Sequence, residues 1–490
     1  MRPSASFPAF IRAVNQTGTR LLAKTADGFR RHVRRKHWII GLTLALWLIP
    51  ASTPHGAIPF RPACAADPRP AAGWGALWFP EDSQFAVAAG RELLARPDFP
   101  AAVCYLRLAE DARGQDPQFL AELGEAYWGA GEREQALAEW EKALALSPER
   151  GDLLVRVWKG YFEIERWDRA EAAIQLRLIR QPGDTEAKYA LALIRAAQNP
   201  GSALDLLAQL KNAPKPIGEN ARSLEAVIRA AVGRRVPEYI FASTGEELIR
   251  LNEMGLAKEA LRRAIERNPK YGEAYALLGV AQEATGENPE ESYRQGVALA
   301  PNSALACLVY GAWLRRQGEL ALAHWWLVQA WLRRPGDWII AAELAQTDFA
   351  RGNPGEAESW VLQTVELFPK QPEAWIVLAA FYIENDFRVA ESGIPAARQA
   401  VILAPQNDRA LDLLGLGWFK MGDISLAARL FLRALEINPA SARAHLHLGM
   451  AYSEQGLAAD AQAEWETALR LDPGGAAGTQ ASELLEKEKP

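Results

Sequence analysis

The chain has 490 residues, 49% of them hydrophobic and 23% charged, enough apolar material for an extensive packed core, which excludes wholesale disorder. The net charge of -5 is unevenly spread, with nine Lys/Arg against one Asp in residues 1–36, so the body is acidic and lacks the electrostatic footprint of a nucleic-acid binder. Cys64, Cys104 and Cys307 form no CxxC pair, and the only close histidines, His445 and His447, point to different faces of a helix, so neither a zinc site nor a disulfide scaffold is expected.

Residues 1–36 are a basic segment ending in Arg30, Arg31, Arg34, Arg35 and Lys36. Residues 37–58 are a hydrophobic signal or anchor helix, whose uncharged core of residues 38–49 (WIIGLTLALWLI) stops at Pro50. A run of this length suits a signal peptide, whereas the whole of 37–58 is long enough to remain as an uncleaved anchor. In both readings the basic cluster stays cytoplasmic and everything beyond residue 58 is carried across, which predicts an envelope-anchored or exported protein. Residues 59–82, rich in Pro, Ala and Gly, are a linker.

From residue 83 a period takes over. Pro148 and Pro182, then Pro301, Pro335 and Pro369, then Pro405, Pro439 and Pro473 recur at intervals of 34 within each group, with slips to 32 (Pro269 to Pro301) and 36 (Pro369 to Pro405). Other residues keep the same register: Leu120, Leu123, Gly124, Tyr127, Ala136, Trp140 and Ala143 in one unit, His445, Leu448, Gly449, Tyr452, Ala461, Trp465 and Ala468 in another. Each unit reads as two antiparallel helices, with a small residue at offset 8 for their close approach. Gly131, Gly318, Gly352 and Gly422 supply a left-handed turn between the helices, and the proline ends the second helix. The expected division is an N-terminal block (83–218), an irregular break (219–243), a C-terminal block (244–475), and a capping helix with tail (476–490).

This pattern closely resembles the tetratricopeptide repeat family, over about four-fifths of the chain. The resemblance implies an all-α fold, an α-solenoid of about ten or eleven helix-turn-helix units, and a function in binding proteins or peptides on the concave surface. The chemistry of an enzyme is missing: no P-loop, GxSxG, HExxH or complete GxGxxG occurs, and no cofactor is expected. Chaperone-tail binders of the family carry Lys and Asn at offsets 5 and 9, where this chain has Ala121 and Glu125, Val155 and Lys159, or Ile376 and Ala380. Offset 12 instead holds Leu94, Trp128, Phe162, Phe349, Ile383 and Phe419, a candidate apolar stripe for a spaced-anchor peptide. The competing reading packs those side chains on the adjacent unit. Five tryptophans, Trp313, Trp325, Trp326, Trp331 and Trp338, read as core, except that Trp325 takes an offset on the convex side.

The function expected is a non-catalytic scaffold targeted to the cell envelope. Its alternatives are a substrate-recruiting subunit of an envelope polysaccharide or secretion complex, and a secreted soluble binding protein. No disulfide between Cys104 and Cys307 is expected, because they fall in separate units.

Overall fold

The computed structural model describes residues 83–487; the basic segment, the hydrophobic segment, the linker and Cys64 lie outside the described residues. Among the described residues there are 25 α-helices and no strand, and no helix is long and apolar enough to cross a membrane. The helices pair in chain order. They are α1 (Ser83–Ala95) with α2 (Phe99–Arg107), the single turn α3 (Glu110–Arg113), α4 (Pro117–Gly129) with α5 (Arg133–Leu146), α6 (Gly151–Glu163) with α7 (Trp167–Arg180), and α8 (Thr185–Gln198) with α9 (Pro200–Leu210). A lone α10 (Ile217–Gly233) follows, then α11 (Pro237–Arg250) with α12 (Met254–Arg267), α13 (Gly272–Ala284) with α14 (Glu290–Leu299), α15 (Ala304–Arg316) with α16 (Leu320–Arg333), and α17 (Trp338–Ala350) with α18 (Pro354–Leu367). Last come α19 (Pro372–Glu384) with α20 (Ile394–Leu403), α21 (Asp408–Lys420) with α22 (Ile424–Ile437), α23 (Ala442–Glu454) with α24 (Ala458–Leu471), and the cap α25 (Ala476–Lys487). The fold is an all-α solenoid of eleven helix pairs.

Local sequence explains the joints. A residue before proline is pushed out of the helical region, and Ser147, Gln181, Arg334, Asn438 and Asp472, each before a proline, end their helices at φ between -131° and -139°. First helices open on side-chain caps: Asp116, Asp184, Ser303, Asp337 and Asn407 each accept a backbone N–H of the first turn. Gly131, Gly318, Gly352 and Gly422 take φ of 81° to 85° between the helices, as the sequence predicts. The interval of 36 is absorbed before α20 by a π-turn, Val389–Gly393, entered through left-handed Asp386 and Arg388.

The small residue at offset 8 acts through space. A Cβ on Gly124 would sit 2.5 Å from the Trp140 ring, and one on Gly449 2.5 Å from the Trp465 ring. In both units the indole Nε1 donates to a carbonyl of the partner helix at 3.2 Å, Ala121 in the first and Leu446 in the second. Stacking such pairs buries a nearly continuous core.

Residues 219–243 are not an irregular break, which corrects the sequence expectation. They form most of α10 and the start of α11, joined by a tight turn with Arg235 at φ 57°. Ala221, Leu224, Ile228 and Ala231, at helical spacing, are buried by α10. Because α10 is a single helix between pairs, it breaks the 34-residue register without breaking the core. One cluster runs from Trp158 to Ala281, and α12 packs back on α8.

Cys307 is a free, buried thiol and Cys104 is disulfide-bonded, so the two are not joined to each other. Of the tryptophans, Trp331 is buried, and Trp313, Trp326 and Trp338 are half-buried. Trp325 is 51% exposed on α16, edge-on to Trp326.

Candidate functional site

The offset-12 residues do not line up as one open stripe. Leu94 is half-buried against the N-terminal core. Trp128 lies 5.2 Å from the Trp140 ring, and the Arg133 guanidinium stands over it at 4.1 Å. Phe162 is wedged edge-on between Trp158 and Trp167, and Phe349 between Phe381 and Phe387. Phe419 is half-buried against the C-terminal core. Ile383 is a correction, because it is fully buried: the π-turn before α20 lays Gly393 over it, and Gly417 of α21 closes the other side.

Ion pairs between successive units are the more regular feature of the first helices. Glu122 pairs with Arg91 at 2.8 Å, Glu125 with Arg156 at 3.2 Å, and Lys159 with Glu186 at 2.6 Å. Farther along, Arg316 pairs with Glu283 at 2.8 Å and Arg315 with Glu343 at 2.9 Å. Charges matched this way attract a charged ligand weakly, since each already has its counter-ion.

Toward the C-terminus Lys420 of α21 still pairs with Asp386 at 2.6 Å, but the start of the same helix is less closely matched. Between α17 and α19 the wall opens into a notch of about 40 Å³ floored by Ala345, Val377, Ala380 and Phe381, with Glu384 and Arg409 at its rim. A wider groove of about 490 Å³ follows, between α21, α23 and the start of α25, and Arg409 lines this one too, together with Asp412, Ser441 and Arg443. Both arginines stand at the second position of a first helix, one on α21 and one on α23.

The acids here are mostly occupied. Asp408 accepts from Asn438 at 2.8 Å, and Asp472 accepts the Ala477 amide of α25 at 3.2 Å. Asp412, 1% exposed, is bonded through Oδ1 to His447 Nδ1 at 2.7 Å, while its buried Oδ2 has no partner. The arginines are far less satisfied. Glu384 is the nearest carboxylate to Arg443, at 3.8 Å, and among the described residues Arg409 has neither an ion pair nor a hydrogen bond. Desolvation in the groove wall and the neighbouring Arg443 cation hold the Arg409 guanidinium below its ordinary value. The Ser441 side chain makes no capping bond to α23. The arrangement sets two guanidinium groups without a close counter-ion among Glu384, Asp408, Asp412 and Asp472.

Sequence reasoning passed over these arginines. Their signal was present, since Arg409 and Arg443 share offset 2 in successive units, 34 residues apart. That neither has a close counter-ion depends on the stacking.

Residues 244–304 and 413–476 match the family described as tetratricopeptide repeat. The human protein named Protein O-mannosyl-transferase TMTC3 is 23% identical over 331 residues, 66% of this chain and 35% of that relative, so the match spans about a third of its length. Among solved structures, yeast Tom70 is similar at 14% identity over 84% of this chain and 96% of its own, with a TM-score of 0.44. A MamA protein is similar at 24% identity over 33% of this chain and 94% of its own, with a TM-score of 0.26.

Proposed function

We propose that the chain, in which residues 244–304 and 413–476 match the tetratricopeptide repeat, is a non-catalytic scaffold that holds extended segments of partner proteins along its inner wall. The observation that carries this is the groove from α17 to α25, where a notch, two weakly paired arginines and an orphan carboxylate oxygen meet on one surface. A site prepared for a ligand has polar groups that the protein does not satisfy itself.

The scaffold is targeted to the cell envelope with its repeats across the membrane from residues 1–36. The basic cluster before the apolar run at 38–49 supports that placement, as does the disulfide at Cys104, a bond that persists in oxidising compartments. A second reading, a substrate-recruiting arm for an envelope polysaccharide or secretion complex, is favoured by the relative named as a transferase.

The test uses the full chain with a photo-crosslinking residue at Gln346, beside the notch, or at Trp325 on the outer face. Random linear peptides selected for binding should crosslink from position 346 and not from 325. Selection of no peptide, or crosslinking from the outer face alone, would reject the reading.

A further inference from the structure

We propose that the disulfide at Cys104 is made with Cys64, and that it staples the linker to the outer face of α2, so that the solenoid stands on its first helix pair beside the membrane. The pairing depends on no functional reading; the placement beside the membrane rests on the envelope reading above.

The pairing follows by elimination. The chain has three cysteines, Cys307 is a free buried thiol and Cys104 is disulfide-bonded, which leaves Cys64 as the partner within the chain. The bond forms by exchange with the disulfide of an exported thiol oxidoreductase. One thiol attacks that disulfide, the second displaces it, and both hydrogens end on the oxidoreductase as its dithiol.

The first unit is the one that a staple serves. A terminal repeat has a neighbour on one side only and frays most readily. Phe85 of α1 is 37% exposed, whereas Phe119, at the same offset one unit on, is 1% exposed beneath the unit before it. The second helix of the first unit has 9 residues against 14 in α5 and α7, and Gly114 stands where the next two units place Pro148 and Pro182. Closing a loop between positions 40 apart restricts the unfolded chain and so favours this unit.

The position on α2 sets the direction of the tether. Cys104 takes offset 22, the offset of Trp325 on α16, so the linker meets the convex side and leaves the inner wall open. Cys64 is six residues beyond the end of the hydrophobic segment at residue 58, a reach of about 20 Å, and the disulfide adds about 7 Å. Without the bond, the 25 residues from 58 to 83 would let the solenoid drift as far as about 85 Å.

The experiment uses the full chain in its membrane, with a specific protease site inserted between Ala71 and Ala72, inside the closed loop, and with thiols blocked before lysis. Unreduced peptide mapping should find the Cys64 and Cys104 peptides joined. Protease applied outside the cell membrane should cut the chain yet leave the repeats in the membrane pellet until a reductant releases them. In Cys64→Ser the cut alone should release them, Cys104 should label in urea without reductant, and hydrogen exchange should rise in α1 and α2 but not in α23 and α24. Cys307→Ser should behave as the wild type. Cys104 joined to a second chain or to a small thiol, or release of the wild-type repeats by the cut alone, would overturn the pairing. A joined pair in a chain that leaves the membrane before any cut would overturn the placement and keep the staple. A site that is cut only after lysis would remove the envelope reading instead.

Discussion

Lys258 on α12 reaches Glu165, in the turn between α6 and α7, at 2.9 Å, an ion pair between residues 93 apart in the chain. The same ammonium, 3% exposed, also meets Glu287 of the α13–α14 turn at 2.6 Å and the Thr285 hydroxyl at 3.3 Å. Burial works against the charge, yet the two carboxylates hold the Lys258 pKa above its ordinary value. One side chain thus ties three units together where α10 interrupts the repeat.

Removing the carboxylates should therefore hurt more than removing the amine. Glu165→Gln with Glu287→Gln leaves a buried ammonium without a counter-charge and should cost about 3 kcal/mol, whereas Lys258→Met keeps the apolar stem and frees two partly solvated carboxylates, costing about 1 kcal/mol. Urea unfolding of the three proteins decides it. Equal losses, or a larger loss for Lys258→Met, would show that the network is not what holds the junction.

The same network sets a pH dependence. The hydrogen bond and charge of Lys258 hold Glu287 below the ordinary carboxylate range, so its stabilisation is fully present above its unfolded value of about 4.3 and is lost as pH falls through the folded value. The stability difference between the wild type and Glu287→Gln should accordingly shrink in acid, below about pH 4. A difference that grew there would have the wrong sign.

Glycines at two offsets should respond to alanine for different reasons. Gly449→Ala drives a methyl to 2.5 Å from the Trp465 ring and should cost about 1–3 kcal/mol by overpacking. Gly456→Ala meets nothing within 4 Å but must hold φ 76°, which costs about 1 kcal/mol. Trp465→Leu should relieve the first and not the second, a comparison that thermal melts of the three single and two double variants would provide.

Most of the solenoid was legible because its punctuation is local. A residue before proline, or a glycine needed at positive φ, acts within one turn of its own helix, so Pro148 or Gly131 marks its joint in any context. What escaped depends on stacking. The helix α10 has its own signal in Ala221, Leu224, Ile228 and Ala231, but no partner in the 34-residue register, and VGRRVP read as an interruption. Offset 12 marks one face of the first helix without deciding whether the next unit covers it. Arg409 shows the converse, since its position was readable and its missing counter-ion was not.

Cys307 and Cys104 should separate cleanly by alkylation. Burial pushes the Cys307 thiol up, and only the thiolate reacts, so iodoacetamide near pH 8 should leave it untouched in the native chain and label it at once in urea. Cys104 should resist labelling in urea until a reductant is added. Fast native labelling at Cys307 would mean that its packing between α15 and the following unit is looser than the structure has it.

Ile383 gives the clearest contrast between a packing residue and a binding one. It is fully buried, so Ile383→Ala leaves a cavity between the π-turn and α21 and should cost about 2–5 kcal/mol, seen as an early melt. At a temperature where that variant is still folded, its affinity for a peptide selected on the full chain should match the wild type, because Ile383 lines neither the notch nor the wider groove. The Arg409→Gln, Arg443→Gln protein should melt within a few degrees of the wild type, since neither guanidinium has a close counter-ion to lose. A stable Ile383→Ala protein that has lost its peptide would return Ile383 to the binding surface and put the arginine groove in question.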